Sequence, residues 1–353
     1  MARATRLAHR PGRRDVMIAV ILSMIALALP LLGLTPYILS QVALFFIWSA
    51  VVIQWNLVFG VAGIMSLAHV AIFAFGAYST AILASYTGLP FWVCFLLSAP
   101  CAMLFSFVIG AISLRMRGDH VAVVTFAISI LMSTVILNDV GCFRSEGVVC
   151  YPFSGGSRGL SGYGDFGWAK LLGYKSRALG DYYLTFGVAL LSLIVALLLI
   201  HGPFGLAFRA IRDSETYARA RGIAFERVQL LVFILTGAMT GLAGGAYAGY
   251  IKTVGPTLLS MNTLVFLLSM IIVGGRGSTW GPVLGAAALV FADMQFQALA
   301  GWRTGALSAI TIACVVLYPA GLTGVGAQIG RLFGARARTA TDARAEQLTE
   351  QPQ

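Results

Sequence analysis

The sequence predicts an all-α polytopic membrane protein with about ten transmembrane helices, one of them a candidate for a broken helix, and both termini cytoplasmic. Three observations predict it. First, 59% of the 353 residues are hydrophobic and 10% are charged, against about 45–50% and 25% in soluble domains, and the mean hydropathy is +0.87. Second, no Asp, Glu, Lys or Arg occurs from Val16 to Leu114, and further charge-free runs cover 121–138, 182–208, 228–251, 253–275, 277–292 and 304–330. Third, those runs are continuous rather than alternating, so they suit helices of about 20 residues crossing a hydrocarbon core and not a transmembrane barrel.

The expected spans are 16–34, 38–58, 62–86, 91–114, 121–140, 182–202, 228–251, 257–275, 281–300 and 304–322. The first follows an arginine-rich start (Arg3, Arg6, Arg10, Arg13, Arg14). That resembles a signal peptide, but its length and its lack of a clear small-x-small cleavage site read as a retained helix. Residues 54–86 are too long for one crossing and contain Gly60, Gly63 and Gly76. Irregular backbone at membrane depth needs protein burial or water, so a break there marks a place of interest.

Ten spans put both termini on one side. Seventeen Lys and Arg fall on that side and seven on the other, which makes it the cytoplasmic side. Trp55, Trp92, Trp280 and Trp302 lie near span ends, as interfacial anchors do. The chain divides into a basic cytoplasmic N-terminus (1–15), a membrane domain (16–322) and a polar C-terminal tail (323–353). The membrane domain carries two long loops, an outer one at 141–181 and an inner one at 203–227.

The net charge of +11 is spread over the ends of apolar runs and forms no single basic face, which argues against nucleic acid. Membrane lipid is the expected surrounding. Cys94, Cys101 and Cys314 sit in apolar runs and read as small buried hydrophobes. Cys142 and Cys150 share the outer loop, where a disulfide and two free thiols are both open. The four histidines and five cysteines have no metal spacing, and neither H-E-x-x-H nor G-x-S-x-G occurs, so no catalytic residue and no metal site is assigned. The phosphate loop G-x-x-x-x-G-K-[ST] is also missing. GGRGSTWG at 274–281 lacks the lysine and suits a tight turn.

The inner loop reads PFGLAFRAIRDSETYARARGIAFER. Arg209/Asp213 and Glu215/Arg219 are i,i+4 pairs on a helix that Gly222 would stop, and Ile223 opens a second helical run. Such a segment suits either a solvated amphipathic connector or a docking element for a partner. In the spans, Gly237, Gly241, Gly245 and Gly249 repeat every four positions. They give one smooth face for close helix packing, inside this chain or at a seam with a second subunit.

Ionisable groups inside the spans are few; His69, in the third span, and Asp293, in the ninth, are functional candidates by default. Their alternatives are a hydrogen-bonded core histidine and a structurally paired carboxylate. Asn56, Ser66, Tyr78, Thr125 and Ser129 are the uncharged polar candidates for a pathway, together with Ser79 and Asn138. So few charges suit a conduit driven from outside better than an ion-coupled secondary carrier, which needs carboxylates or broken-helix carbonyls at the midplane. That carrier is the alternative from a different class.

Six stretches, NLVFGVAGIMSLAHVAIFAFGAY (56–78), LRMRGDHVAVVTFA (114–127), SGGSRGL (154–160), PFGLAFRAIRDSETYARARGI (203–223), LTGAMTGLAGGAYAGY (235–250) and VGGRGSTWGPVLGA (273–286), together resemble the permeases of branched-chain amino acid ABC importers, the LivH/LivM type, closest to LivM. The resemblance implies a pore subunit that is not an enzyme. Its partners would be a second related permease, two cytoplasmic ATP-binding subunits that use ATP and Mg, and a periplasmic substrate-binding protein. It would lie in the bacterial inner membrane and bind no cofactor itself.

The cargo implied is branched-chain or other hydrophobic amino acids, with urea and short amides as alternatives. The loop 203–227 would be the coupling element, through Arg209, Arg212, Asp213, Glu215, Ala218, Arg219 and Gly222. Thr216 stands where the family often has an acid, and Ile64 where it often has a glutamine. In the outer loop Gly155 and Gly156 allow close approach, and Arg158 stands where the family often has asparagine. That arginine suits a substrate carboxylate, an acidic patch on the binding protein, or simple solvation.

Overall fold

The computed structural model describes residues 12–33, 35–116, 118, 120–146, 149–168, 173, 177–296, 303–317 and 321–324. The basic stretch before residue 12 and the tail beyond 324 lie outside them.

Helix α1 (Gly12–Ala28) continues into a 3-10 turn at Leu29–Leu32 and ends at Gly33 in the left-handed region. Pro36 opens α2 (Pro36–Asn56), in keeping with the preference of proline for the first helical turn. The α2 ladder then widens into a π-helical turn, Leu57–Val61, and the chain leaves helical geometry until α3 (His69–Tyr86) begins. Next come α4 (Phe91–Ser113) and α5 (His120–Leu137).

The outer loop contains a hairpin of β1 (Arg144–Glu146) and β2 (Val149–Tyr151) with Ser145 opposite Cys150. After a 3-10 turn at Gly156–Arg158 comes β3 (Leu160–Ser161). The long α6 (Arg177–His201) returns to the opposite face, where α7 (Pro203–Asp213) and α8 (Glu215–Ala220) form the inner loop. Then follow α9 (Phe225–Ile251), β4 (Thr253–Val254), α10 (Met261–Gly274), α11 (Gly281–Gln295) and α12 (Arg303–Leu317). Strand β4 pairs antiparallel with β3, Leu160 opposite Val254.

Among the described residues, seven helices are long and apolar enough to cross a membrane: α1, α2, α3, α4, α5, α6 and α9, the first two counted with the turns that extend them. At the three remaining expected spans the helices are shorter, of 14, 15 and 15 residues. The expected span 257–275 is shortened because Pro256–Leu259 forms a separate 3-10 turn and Ser260 caps α10 through the Thr263 amide. The span expected at 62–86 loses its first turns to the irregular segment 62–68.

The bundle centres on α9, which packs on α4, α3, α2 and α6. The glycines explain why. A Cβ at Gly237 would overlap Ser106, one at Gly241 would overlap Ala102, and one at Gly245 would press on Ser98 and Thr80. Gly76 of α3 meets the backbone of Gly241 in the same way. Helix axes therefore approach to backbone contact, which maximises dispersion where lipid supplies no hydrophobic drive. The stripe packs inside the chain on α4 and, at the C-terminal end of α9, Gly249 lies against Phe166 and Phe91.

The outer loop folds onto that end. Trp92, Phe95 and Phe166 form an aromatic cluster with ring centroids 4.9–6.3 Å apart, Phe95 edge-on to both partners and Trp92 tilted against Phe166. The Tyr163 hydroxyl donates to the Ala248 carbonyl at 2.8 Å. Lys252 ion-pairs with Asp165, and the ammonium's hydrogen bond holds the Asp165 carboxyl below the usual carboxylate range. Cys142 is disulfide-bonded, whereas Cys94, Cys101 and Cys314 are free.

Candidate functional site

The interrupted stretch 57–68 and the α7–α8 pair lie against one another, and most of the polar residues singled out in the sequence gather there. A π-helical turn places one carbonyl out of register, and irregular backbone in an apolar bundle has to find partners for its free amides and carbonyls. These partners are specific. Asn56 is buried; its Nδ2 donates to the Ser278 carbonyl at 3.0 Å and its Oδ1 accepts from the Gly277 amide at 2.8 Å. Trp55 Nε1 donates to the Ser66 carbonyl at 2.7 Å. Thr125 Oγ1 accepts from the Leu67 amide at 2.9 Å, and Ser66 Oγ accepts from the Ala68 amide at 3.3 Å. Ser129 donates within its own helix to Thr125.

His69, the first residue of α3, is fully buried and both ring nitrogens have no hydrogen-bond partner. It stacks on Trp55 with ring centroids 5.9 Å apart and planes 6° apart. It is therefore held by ring packing, not by the hydrogen bond expected of a core histidine.

The inner loop differs from the expected helix, glycine, helix. The first helix breaks at Ser214, whose extended backbone (φ −166°) ends α7 and whose hydroxyl accepts from the Tyr217 amide to cap α8. The Arg209/Asp213 pair does not form. Arg209 instead donates to the carbonyls of Gly205 and Ile200, both at 3.0 Å, closing the carbonyl end of α6. Asp213 pairs with Arg212 at 3.3 Å, and Arg219 pairs with Glu226 at 2.8 Å. The Glu215 side chain lies outside the described residues. Gly222 (φ 82°) turns the chain from α8 towards α9.

Helix α7 buries Gly205, Phe208 and Ile211, a spacing of three that makes one face, and exposes Leu206 at 69%. On α8 the small Ala218 is buried and Tyr217 is 78% exposed. Arg212 links this pair to the interrupted segment. Its Nη1 donates to the Gly60 carbonyl at 3.3 Å, and Gly63 (φ 73°) leaves room for the methylenes of its stem, which a Cβ there would meet.

A cleft of about 530 Å³ opens between these elements, lined by Gly63, Ile64, Met65, Ile211, Arg212, Arg219, Glu226 and Gln229, among others.

The remaining candidates lie elsewhere. Tyr78 is buried beside an apolar cavity of about 560 Å³ between α3, α4 and α5, which Ser79 also lines. Asp293 lines a separate cavity of about 440 Å³ with Asn262, Thr263, Ser269, Ser308 and Thr311. In the outer loop Gly155 (φ 79°) and Gly156 (φ 56°) make a tight turn beside Asp139, whose carboxylate accepts from the Ser154 amide and hydroxyl at 2.6 Å each. Arg158 is exposed.

Several residues were missed in the sequence. Asp15 is the single acid before residue 119. Its carboxylate accepts from Trp280 Nε1 at 3.1 Å and lies 3.2 Å from His201 Nε2, joining α1, α6 and the 275–280 turn. A lone acid at the start of an apolar run was the available signal. Gln229 and the Arg212–Gly60 contact had none.

Residues 37–318 match the family described as branched-chain amino acid transport system / permease component. The high-affinity branched-chain amino acid transport system permease protein LivM of Escherichia coli is 27% identical over 288 residues, 76% of this chain and 65% of the relative. The chain thus spans a little under two thirds of the LivM length. The probable branched-chain amino acid transport permease protein LivH of Methanocaldococcus jannaschii is 26% identical over 272 residues, covering 72% and 82% of the two chains. The fructose import permease protein FrcC of Rhizobium meliloti is 31% identical over 116 residues, 31% of this chain and 32% of the relative. No solved structure matches.

Proposed function

Because the chain belongs to the family of branched-chain amino acid transport system permease components, we propose that it is the membrane-spanning subunit of an ATP-driven importer for branched-chain or other hydrophobic amino acids. The observation that carries the reading is the contact of Arg212 with the interrupted segment. A helix pair on one face of the bundle touches the one place where the described backbone of a long apolar helix gives way. Displacing that pair moves an irregular segment with few internal helical bonds, which is the soft element a coupling device needs.

In this reading two cytoplasmic ATP-binding subunits bear on α7–α8 and bind the ATP and Mg. Leu206 and Tyr217, both exposed, offer them apolar and aromatic contact. A second related permease completes the pathway, and a periplasmic binding protein delivers the cargo and selects it. The face carrying α7–α8 is then cytoplasmic, in the bacterial inner membrane. Tyr78, His69 and Asp293 are the groups assigned to the pathway.

The test is reconstitution of the chain with its partner subunits in proteoliposomes. Arg212→Ala is expected to lower leucine uptake and substrate-stimulated ATP hydrolysis together by at least about tenfold, ~1.4 kcal/mol of coupling, while the chain still inserts and assembles. Leucine accumulation by the chain alone, without ATP, would overturn the reading in favour of an ion-coupled carrier. Competition by urea or short amides in place of leucine would reassign the cargo.

A further inference from the structure

Helix α1 is tied to the bundle by polar contacts near its two ends. At its start Asp15 meets Trp280 and His201, and towards its finish the Tyr182 hydroxyl donates to the Ala26 carbonyl at 2.6 Å. Behind α1 lies a cavity of about 250 Å³. Leu22 and Leu29 line it from α1 and its terminal turn, Val42 and Ile53 from α2, and Phe186 and Leu193 from α6. Leu22 and its neighbour in the lining, Ile25, are also exposed, so the cavity opens on the side that α1 turns to the surroundings.

Size and chemistry select the occupant. Among the described residues the lining offers the hydroxyls of Ser23 and Ser49 and the Trp280 N–H, and Asp15 already accepts from that N–H. Ordered water needs two to four polar partners, and apolar cavities stay dry. From Val42 to Ile53 the α2 wall runs about 16 Å at ~1.5 Å per residue. A helix of that length, about 10 Å across, needs on the order of 1,000 Å³, several times the space present. An extended alkyl chain fits such a slot, and it restores the dispersion contacts that an empty one forfeits. The lining helices α1, α2 and α6 are all long and apolar enough to cross a membrane, so the cavity is continuous with the lipid boundary.

The start of α1 supplies the charge for a headgroup. The first fifteen positions hold five arginines and one acid, and both oxygens of that acid are engaged by Trp280 and His201. Arg276, four positions before Trp280 on the same turn, is exposed and forms no ion pair among the described residues. Basic segments beside a membrane helix attract anionic lipid, and a guanidinium suits a phosphate. We propose that the cavity behind α1 holds one acyl chain of an anionic phospholipid, whose headgroup lies at the start of α1 beside Arg276. The chain gives α1 an apolar contact with α2 and α6 between its polar ties. This site is independent of the cargo and of the partner subunits.

The test is native mass spectrometry of the delipidated full chain, titrated with phosphatidylglycerol or phosphatidylcholine carrying the same acyl chains. One phosphatidylglycerol is expected to be retained, at least fivefold tighter than phosphatidylcholine. Ala26→Trp fills the cavity from the peripheral helix and is expected to weaken both lipids at least fivefold. Ser23→Phe, a smaller change on the same wall, is expected to act in the same direction. Arg276→Gln is expected to remove the preference for phosphatidylglycerol and to leave phosphatidylcholine unchanged. Hydrogen exchange gives an independent readout: phosphatidylglycerol is expected to slow amide exchange in α1 at least twofold in the parent chain and not in Ala26→Trp.

Retention untouched by both cavity variants would overturn the site and place the lipid on the outside of the bundle. Equal retention of the two lipids by the parent chain would overturn the anionic headgroup. Tight phosphatidylglycerol with unchanged exchange in α1 would overturn the contact with that helix. Glycerol phosphate, the headgroup without the chains, is expected not to displace the lipid at tenfold excess; displacement would overturn the acyl chain as the anchor in favour of a phosphate site.

Discussion

Helices α1 and α9 are both long enough to cross a membrane, yet 6% of the α1 span is buried inside the protein and 61% of α9 is. Helix α1 is a run of Val, Met, Ile and Leu; α9 is rich in glycine, alanine and threonine. The more apolar helix is the peripheral one. In water large apolar residues mark the core, but lipid is as apolar as leucine, so they gain little by turning inward. What marks the centre of this bundle is smallness, which allows backbone approach, and polarity, which needs partners.

The sharpest way to break that comparison is to add volume to each kind of glycine. Gly241→Leu drives a side chain into Ala102 and the Ser98 carbonyl. Overpacking of this kind costs about 3 kcal/mol or more where the neighbour is backbone. The expected outcome is loss of monodisperse protein and a large fall in thermal midpoint. Gly187, on the exposed side of α6, has nothing within 4 Å of the place where a Cβ would stand. There Gly187→Ala is expected to be neutral or to stabilise by up to about 1 kcal/mol through helix propensity. Equal losses at the two positions would show that glycine spacing does not mark the centre.

A second test asks whether polarity marks it too. Asn56 uses both ends of its amide to tie the end of α2 to the 277–278 turn. Asn56→Leu leaves the Gly277 amide and the Ser278 carbonyl without that partner, at about 1–3 kcal/mol. The expected result is a lower thermal midpoint together with impaired uptake by the reconstituted assembly, since the same turn abuts Gly60. Uptake at the wild-type level would show that this tie is structural only.

The C-terminal end of α9 gives a smaller, pH-dependent effect. The Lys252 hydrogen bond lowers the Asp165 pKa. A depressed carboxylate contributes stability above its unfolded pKa of about 3.9, and the contribution fades as pH falls through the folded value. Both side chains are about a third exposed, so the pair is worth under about 1 kcal/mol. Asp165→Asn is therefore expected to lower the midpoint slightly at pH 7 and to leave it unchanged once the pH is below the depressed folded-state pKa, where the carboxyl is protonated in both states.

These contrasts also explain what the sequence made legible. Charge-free runs located the apolar helices, and the four-residue glycine period picked out α9, because both signals are local and periodic. The glycines at 60 and 63 pointed to the interruption. The break at Ser214 was hidden because Asp213, Ser214 and Glu215 continue an apparently helical charge pattern, and a capping hydroxyl looks the same inside a helix as at its start. The ties that organise the site were hidden for another reason. Arg212 and Gly60 are separated by 152 positions, Asn56 and Ser278 by 222, and Asp15 and Trp280 by 265. A single chain carries no periodic trace of such pairs.

The smallest effect is the most direct reading of how α1 is held. Two polar clips fix it, Asp15 with Trp280 and His201 at one end and the Tyr182 hydroxyl donating to the Ala26 carbonyl at 2.6 Å at the other. Tyr182→Phe removes one neutral bond and is expected to cost about 1 kcal/mol, with faster amide exchange in α1 as the specific sign. Met24 lies between the clips and is 63% exposed to the surroundings. In water, trimming a half-buried methionine removes transfer energy; here the lost contacts are with lipid, which replaces them. Met24→Ala is therefore expected to shift stability by no more than about 0.5 kcal/mol and to leave α1 exchange unchanged. A loss as large as that of Tyr182→Phe would mean that α1 is held by its apolar face after all.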